Sequence, residues 1–326
     1  MKFKIKATIA LLFTIGLFVG CQKENDPVLP ATKTNADHYS SLQDFYARNG
    51  VQLQTYTING TTGGSFTTAK GANVNISANC FIDIYGKPVT GNVTIQIKEI
   101  YTKSDMLLSD KPPMYYQVPL KSGGEFYIKA MSNGSVVYLN GKSPINVSQP
   151  LNGWPLDNMM QAFKLSPDTG GSFFGGWQPA PRPDTVTTSL SGYVFSLYNF
   201  CYPADSGAWC NSDNSSYFSA YTQTVFTIQT TDDSLNNNYV GNVDVFLLFN
   251  GINSMVHVYG GATNTFPYNY APLGLQCTVV AIETRANGQL RSAFVPTTIT
   301  ANGTVNFNCT NTTTANFKTQ LSTYNH

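Results

Sequence analysis

Few side chains of this sequence have the types and spacing that catalysis requires. Of the three histidines, His38 lies near the start, His326 ends the chain, and only His257 lies in a strand-like segment. A nucleophilic triad needs a histidine held between a nucleophile and a carboxylate, so only His257 qualifies; the ordinary interpretation is a partly exposed strand histidine. Catalytic zinc sites usually need three protein ligands, and the sequence has no HxxxH or CxxC pair. We therefore predict no catalytic residue, metal or cofactor.

Carboxylates give two further candidates for chemistry. A glycosidase needs two of them flanking the scissile bond, and Glu99 and Glu125 lie on neighbouring predicted strands. The alternative is that both belong to the polar half of a strand alternation. Asp213 and Asp232-Asp233 lie in predicted loops rich in Asn and Ser, where oxygen ligands could bind calcium, but the ordered spacing of a calcium loop is missing.

Three tryptophans could bind a ligand through their rings. Trp154, Trp177 and Trp209 each lie beside Gly, Pro or Ala in loop-like segments. Aromatic rings exposed on such loops stack on sugars or anchor a protein partner. The alternative is that the three rings fill the seam between two domains.

The N-terminus determines where the protein is expected to reside. Three lysines in the first six residues precede an apolar run, Ala7–Val19, and then Gly20 and Cys21. The run is too short for a permanent membrane span and fits a cleaved signal. It resembles a bacterial lipoprotein signal peptide, whose invariant cysteine is acylated, although Phe18 stands where an aliphatic residue is usual. Acyl chains on Cys21 would hold the protein on a membrane.

The segment after Cys21 bears on which face of the outer membrane would carry the protein. Residues 22–26 are Gln-Lys-Glu-Asn-Asp, which resembles export signals that send lipoproteins of the Bacteroidota to the outer face of the outer membrane. The alternative is the solvated start of a tether. We expect a lipid anchor in the outer membrane, with exposure on the cell surface left open.

The remaining five cysteines are an odd number, and an exported protein can form disulfides. Cys277 and Cys309 have the strand phase of core residues, and Cys201 and Cys210 flank a short loop. We predict these two bridges, with Cys80 free and buried. The sequence leaves all three connectivities of these four cysteines open.

Composition favours an exported all-β protein. Charged residues make up only 11% of the chain, and the formal net charge of +1 gives no indication of a nucleic-acid or acidic partner. Strict alternation, as in Val93–Ile97 and Phe126–Ala130, indicates half-buried strands, and Gly- and Asn-containing turns separate them. We predict two β-sandwich domains, Ig-like or related.

The predicted domain order follows from these patterns. It is a signal peptide at 1–20, a tether with a short helix at 21–50, a sandwich at 51–165, a Pro- and Gly-rich linker at 166–190, a second sandwich at 191–310, and a tail at 311–326 that is frayed or a short helix.

Several stretches resemble a family of outer-membrane lipoproteins of the Bacteroidota for which no activity is known. They include Gly71–Phe81, Ser122–Ala130 and Met159–Phe163, and the similarity continues from Tyr193 to Phe294. The family's compact Trp, Asn, Cys, Asp run is reordered here at 209–213. More weakly, Asn73–Ile100 is similar to a ZU5-type sandwich.

Two short motifs carry a further resemblance, to the O-glycosylation acceptor of exported Bacteroidota proteins. They are Asp184-Thr185-Val186 and Asp233-Ser234-Leu235, so Thr185 and Ser234 are candidate acceptors.

The sequence as a whole predicts a non-enzymatic binding, structural or adhesion module of the bacterial envelope, with an unknown protein or glycan partner. A carbohydrate-binding accessory protein is the alternative. A hydrolase that uses Glu99 and Glu125 is a third possibility, which requires both carboxylates to lie in one open cleft.

Overall fold

The computed structural model describes residues 37–165, 176–199, 208–230, 243–260 and 264–326. Cys21, Cys201 and Ser234 lie outside these ranges, so the predictions made for them stay predictions.

Strands dominate the described chain. In the first half they are β1 (Gln54–Asn59), β2 (Gly64–Thr67), β3 (Asn73–Ile76), β4 (Phe81–Ile82), β5 (Asn92–Ile100), β6 (Met114–Tyr115), β7 (Val118–Pro119), β8 (Lys121–Ser132), β9 (Ser135–Val136), β10 (Tyr138–Leu139), β11 (Ile145–Pro150) and β12 (Gln161–Leu165). In the second half they are β13 (Trp177–Pro179), β14 (Thr185–Ser189), β15 (Gly192–Leu197), β16 (Ala208–Asn214), β17 (Gln223–Thr230), β18 (Val243–Phe249), β19 (Met255–Val258), β20 (Thr265–Pro272), β21 (Gln276–Thr284), β22 (Leu290–Thr298), β23 (Gly303–Phe307) and β24 (Thr310–Asn311).

Three α-helices and one 3-10 helix complete the described elements. They are α1 (Leu42–Asn49), α2 (Lys103–Leu108), α3 (Thr314–Ser322) and the 3-10 turn Tyr217–Ala220. Each α-helix begins at a Ser or Thr whose side chain accepts a backbone N–H of the first turn. The predicted short helix after the tether is α1, which ends one residue before Gly50.

The strands form antiparallel sheets that pack as two sandwiches, which confirms the predicted all-β fold class. The first sandwich joins a seven-stranded sheet, ordered β1-β5-β8-β16-β12-β13 with β9 beside β8, to a five-stranded sheet ordered β14-β15-β11-β3-β2. The second joins β19-β18-β21-β22-β24 to β20-β17-β23, where β17 and β23 run parallel.

The apolar residues of the strictly alternating strands form the core of the first sandwich. Ile95 and Ile97 of β5 and Phe126 and Ile128 of β8 are fully buried, and they pack with Phe195 of the facing sheet. The same alternation turns every second residue of β5 and β8 to the outer face of the seven-stranded sheet.

Strand β18 is buried on both faces from residue 245 to 249, as its apolar sequence predicts. Val245 and Leu247 point into the second sandwich core, and Phe246 and Leu248 pack in a separate cluster with α1, α3 and Ile100 of β5. This cluster joins the two sandwiches through the outer face of the seven-stranded sheet.

The boundary between the two sandwiches lies later in the chain than the sequence predicts. β13 and β14 lie inside the predicted linker at 166–190, and β15 and β16 lie inside the predicted second domain, yet all four pair within the first sandwich. β13 and β14 are edge strands, and an edge strand accepts proline because one of its sides needs no donors. A high density of Pro and Gly therefore marks a sheet edge here.

Both ends of the described chain are fixed to the second sandwich. Tyr39 N–H donates to Gly288 O at 2.8 Å, and Thr314 N–H donates to Asp37 Oδ1 at 2.8 Å. Phe317 and Leu321 of α3 are buried. Residues 37–41 of the predicted tether therefore contact the second sandwich and α3, and the predicted tail forms a packed helix.

Candidate functional site

The outer face of the seven-stranded sheet carries a row of three side chains on neighbouring strands. Trp209 of β16 faces Tyr127 of β8, which in turn faces Lys98 of β5. Adjacent strands lie about 4.8 Å apart, so the row extends about 10 Å across the sheet. Its two ends, Trp209 and Lys98, line one groove.

The groove has a volume of about 660 Å³ and lies beside α1. Its walls come from α1, the segment after it, the loop after α2, and β5, β16 and β18, and they include Tyr46, Leu53, Lys98, Lys111, Trp209 and Asp244. The lining combines one indole ring, two amines and two carboxylates with a few apolar side chains.

Trp209 is a supported ring at the edge of this groove. It is half-buried, and its centroid lies 5.3 Å from the ring of Tyr127. The amine of Lys111 lies 5.4 Å from the centroid of Trp209, within the range of a cation–π contact. The ring is thus held by its neighbours while it contributes to the groove surface.

The two lysines of the groove have no carboxylate partner among the described residues, although Lys70, Lys121 and Lys164 each have one. Burial and then the charge of Lys111 lower the pKa of Lys98. Apart from its contact with Trp209, the amine of Lys111 donates to the Asp110 carbonyl at 3.1 Å.

The acids of the groove, in contrast, are occupied by protein partners. Asp244 accepts a hydrogen bond from the Tyr46 hydroxyl at 2.6 Å and lies 3.2 Å from His257 Nε2, and Asp110 lies 3.8 Å from His257 Nδ1. Burial alone would lower the pKa of His257, but the hydrogen bond and charge of Asp244 and the charge of Asp110 raise it. Burial raises the pKa of Asp244, and His257 and Tyr46 lower it overall.

His257 and its two carboxylate neighbours, Asp110 and Asp244, connect separate segments of the chain, and we call this contact the His257 clasp. The ring lies between Phe246 at 4.6 Å and Tyr259 at 4.4 Å, and it ties β19 to β18 and to the loop after α2. A general base must lie within hydrogen-bond reach of a nucleophile, and the described side chains that this imidazole contacts are carboxylates and aromatic rings.

Glu99 and Glu125 do not face each other. Glu99 is paired with Phe126 and Glu125 with Ile100, so the two carboxylates point to opposite faces of one sheet. Both are fully buried. The two-carboxylate cleft required for the third function predicted from the sequence is not formed.

Glu99 has a structural role instead. Its oxygens accept hydrogen bonds from Thr68 Oγ1 at 2.6 Å, Tyr101 OH at 3.0 Å and Gln54 Nε2 at 2.9 Å, and from the backbone N–H groups of Lys70 and Ala72. A carboxylate with this many donors fixes the turn between β2 and β3 to β5.

Glu125 and Asp213 are buried acids with incomplete hydrogen bonding. Oε2 of Glu125 and both carboxylate oxygens of Asp213 make no hydrogen bond within the described residues. Burial raises both pKa values well above the usual range, and the charge of Asp213 adds to the effect on Glu125. Asp213 lies in β16 and is fully buried, which corrects its prediction as a loop residue; within the described ranges no three metal-ligating side chains cluster.

The two other tryptophans do not line the groove. Trp177 is only 1% exposed, packs with Leu120 and Phe163, and donates its indole N–H to Pro112 O at 3.2 Å, so its prediction as a ligand-binding residue is wrong. Trp154 is half-buried, with Lys103 5.5 Å above its ring.

The cysteines of the described chain are all buried. Cys80 is free, as predicted, and burial raises its pKa to about 11. Cys277 and Cys309 share the second core as their strand phase predicts, but no disulfide joins them. A disulfide also needs Cα atoms about 4.4–6.8 Å apart with converging Cβ atoms, which strand phase does not specify. Burial raises the pKa of Cys277 to about 12.

The motif around Thr185 has a structural explanation. Thr185 is exposed at the start of the edge strand β14, but the preceding Asp184 is buried, pairs with Lys164, and accepts the Tyr198 N–H at 2.6 Å. The carboxylate of this three-residue motif is therefore not presented at the surface.

Sequence reasoning selected Trp209 and missed its companions. Lys98, Lys111, Tyr46 and Asp244 are separated widely along the chain and match no motif. The one available signal was the phase of Lys98, which alternates with the core residues of β5 and therefore lies on the outer face.

Comparisons with protein-family models, with curated proteins and with solved structures found no match. Among the described residues, no helix has the length and apolarity that a membrane crossing would need.

Proposed function

We propose that this protein is a binding lipoprotein of the bacterial cell envelope, anchored in the outer membrane through acyl chains on Cys21, and that it binds its ligand in the groove beside Trp209. The groove combines a supported indole ring with two lysines that lack a carboxylate partner in the described chain. This combination is the single observation that carries the proposal.

A non-enzymatic role agrees with the state of the carboxylates. Glu99 is saturated with hydrogen bonds on one face, and Glu125 is buried on the other. Neither is available to a substrate in the groove. We therefore propose binding or adhesion as the activity.

The carbohydrate-binding alternative is favoured by the form of the groove. A half-buried tryptophan beside polar side chains matches the needs of a sugar, which has apolar ring faces and polar edges. We propose a saccharide, carried by an envelope component or a nutrient glycan, as the ligand class.

Anchoring is tested by labelling cells with an alkyne fatty acid. The full chain should take up the label and sediment with membranes, and Cys21→Ala should lose the label. Gln22→Ala is the control, because it keeps the acylated residue. An unlabelled wild-type protein would contradict the anchor.

Binding is tested with the detergent-solubilised full chain on an array of glycans and envelope proteins. Trp209→Ala should lose the bound species, and Tyr85→Ala, which removes an aromatic ring that is 84% exposed and outside the groove, should retain them. Binding that survives Trp209→Ala would exclude the groove as the site.

A further inference from the structure

We infer that the groove selects a saccharide ring that carries an anionic group, a carboxylate or a sulfate, with the ring on Trp209 and the anion between Lys98 and Lys111. The inference rests on the proposed function and names the ligand class for the same site.

Lys98 and Lys111 bring positive charge into a partly desolvated groove. An amine that leaves bulk water without a counterion loses solvation that nothing replaces. Lys98 and Lys111 are both half-buried, lie close enough for one charge to act on the other, and have no carboxylate partner among the described residues. An anion in the groove would supply the missing partner to both.

The acids of the groove, unlike its lysines, form contacts with protein side chains of opposite charge or with a hydroxyl. Asp244 is already bonded to Tyr46 and His257, and Asp110 lies beside the same imidazole. These carboxylates have a protein partner in His257, whereas the two lysines of the groove form no ion pair with a described carboxylate and only the charge of Lys111 acts on the buried Glu125. A cationic ligand would meet repulsion where an anionic ligand meets attraction.

The distance across the sheet from Trp209 to Lys98 suits a short oligosaccharide. Trp209 and Lys98 are separated by one strand, β8, and hence by about 10 Å across the sheet. The amine of Lys111 lies 5.4 Å from the centroid of the Trp209 ring. A ring stacked on Trp209 therefore places a substituent within reach of Lys111 first, and a second residue of a short oligosaccharide extends towards Lys98.

The balanced net charge of the chain conceals this local pattern. Nineteen basic and eighteen acidic residues give only +1 overall. Specific recognition depends on the field inside a partly desolvated groove, where each charge acts more strongly than on the open surface.

The test measures binding of three oligosaccharides to the detergent-solubilised full chain by calorimetry. The probes are a galacturonate trimer, a galactose trimer sulfated at O6, and the unmodified neutral galactose trimer. At about 50 mM salt we expect an acidic trimer to bind at least about tenfold more tightly than the neutral one. The preference should shrink at about 500 mM salt, since ions screen the contact. Preference for either acidic trimer supports the inference and identifies which anion the groove takes.

Variants separate the ring from the charges. Lys98→Gln with Lys111→Gln should reduce the ratio of acidic to neutral affinity to about one. Lys98→Arg with Lys111→Arg should keep the preference, which controls for loss of structure. Lys87→Gln, an exposed lysine outside the groove, should have no effect. Trp209→Ala should weaken all three trimers by about tenfold or more.

The outcomes distinguish this inference from the proposed function. If Trp209→Ala abolishes binding but acidic and neutral trimers bind equally, the groove remains the binding site and the anion inference fails. If the glutamine pair leaves the preference intact, or none of the three trimers binds, the inference is overturned. Proteins retained on the array through Trp209 would then still support the proposed function.

Discussion

Glu99 and Glu125 lie on neighbouring strands of one sheet, one on each face, and both are fully buried. On the inner face, Glu99 receives donors from Thr68, Tyr101, Gln54 and two backbone N–H groups. On the outer face, Glu125 has only a 3.5 Å contact with Asn211 Nδ2, and its second oxygen makes no hydrogen bond within the described residues. The inner face therefore satisfies its buried polar group, and the outer face does not.

The difference separates the face that holds the proposed site from the face that does not. Natural sequences break local rules of satisfaction mainly at functional sites. The outer face holds the incompletely bonded acids Glu125 and Asp213, and two residues further along β5 and β8 it holds the row that ends at the groove. The inner face contributes the stability that supports this arrangement.

The largest expected effect contrasts two adjacent residues of β8. Phe126→Ala should reduce the free energy of unfolding by about 3–5 kcal/mol, because it leaves a cavity beside Phe195 in a closed core. Tyr127→Ala on the half-buried outer face should cost roughly 1 kcal/mol. Equilibrium urea unfolding measures both, and equal losses would remove the proposed distinction between the faces.

A second, smaller contrast concerns the carboxylates themselves. Glu99→Gln should cost about 2 kcal/mol, because the amide cannot accept all of the donors that the carboxylate accepts. Glu125→Gln should change stability by less than about 1 kcal/mol in either direction, since a neutral amide replaces an acid that is poorly bonded. A large loss from Glu125→Gln would mean that the outer face holds its acid as tightly as the inner face does.

The pH dependence of stability sharpens this contrast. Burial raises the pKa of Glu125 above its ordinary value of 4.5, so above that pH the unfolded chain binds fewer protons than the folded protein. Stability from this group therefore falls as the pH rises from about 4.5 towards the folded pKa. Glu125→Gln should flatten the fall in thermal melts recorded across this range, and an unchanged profile would contradict the assignment.

The smallest expected effect concerns the clasp next to the groove. The pKa of His257 is raised above 6.5, so its contribution is complete below about pH 6.5 and is lost as the pH rises through the folded pKa. We expect about 1 kcal/mol from this clasp. His257→Gln should remove that pH-dependent part of stability. A profile identical to that of the wild type would show that the imidazole is not held by Asp244.

The sequence predicts the elements better than their assembly. Alternation predicts β5 and β8 and the faces of their residues, and the helical spacing of Leu42, Phe45 and Tyr46 predicts α1, because both signals are local. The assignment of β14, β15 and β16 to the first sandwich depends on pairing between segments more than 40 residues apart, for example Ser148 with Val194. Local patterns do not encode such partners.

The same limit applies to the candidate site. Residue type points to Trp209 as a ring that lines the groove. The same criterion selects Trp177, because residue type and sequence neighbours do not reveal that its ring is buried. The groove takes its walls from α1 and from strands of both sandwiches, so it exists only after assembly. The two lysines are candidates because no described carboxylate forms an ion pair with them, and a sequence does not show which charged side chains pair.

Helix α1 is the first helix of the described chain after the proposed anchor, and its Tyr46 is bonded to Asp244 in the groove wall. A protein tethered at Cys21 would transmit any drag on the cell through this helix. Mechanical tension would enter the fold at Asp37 and Tyr39, which are bonded to α3 and to Gly288, and would reach the hydrogen bond between Tyr46 and Asp244 in the groove wall through α1.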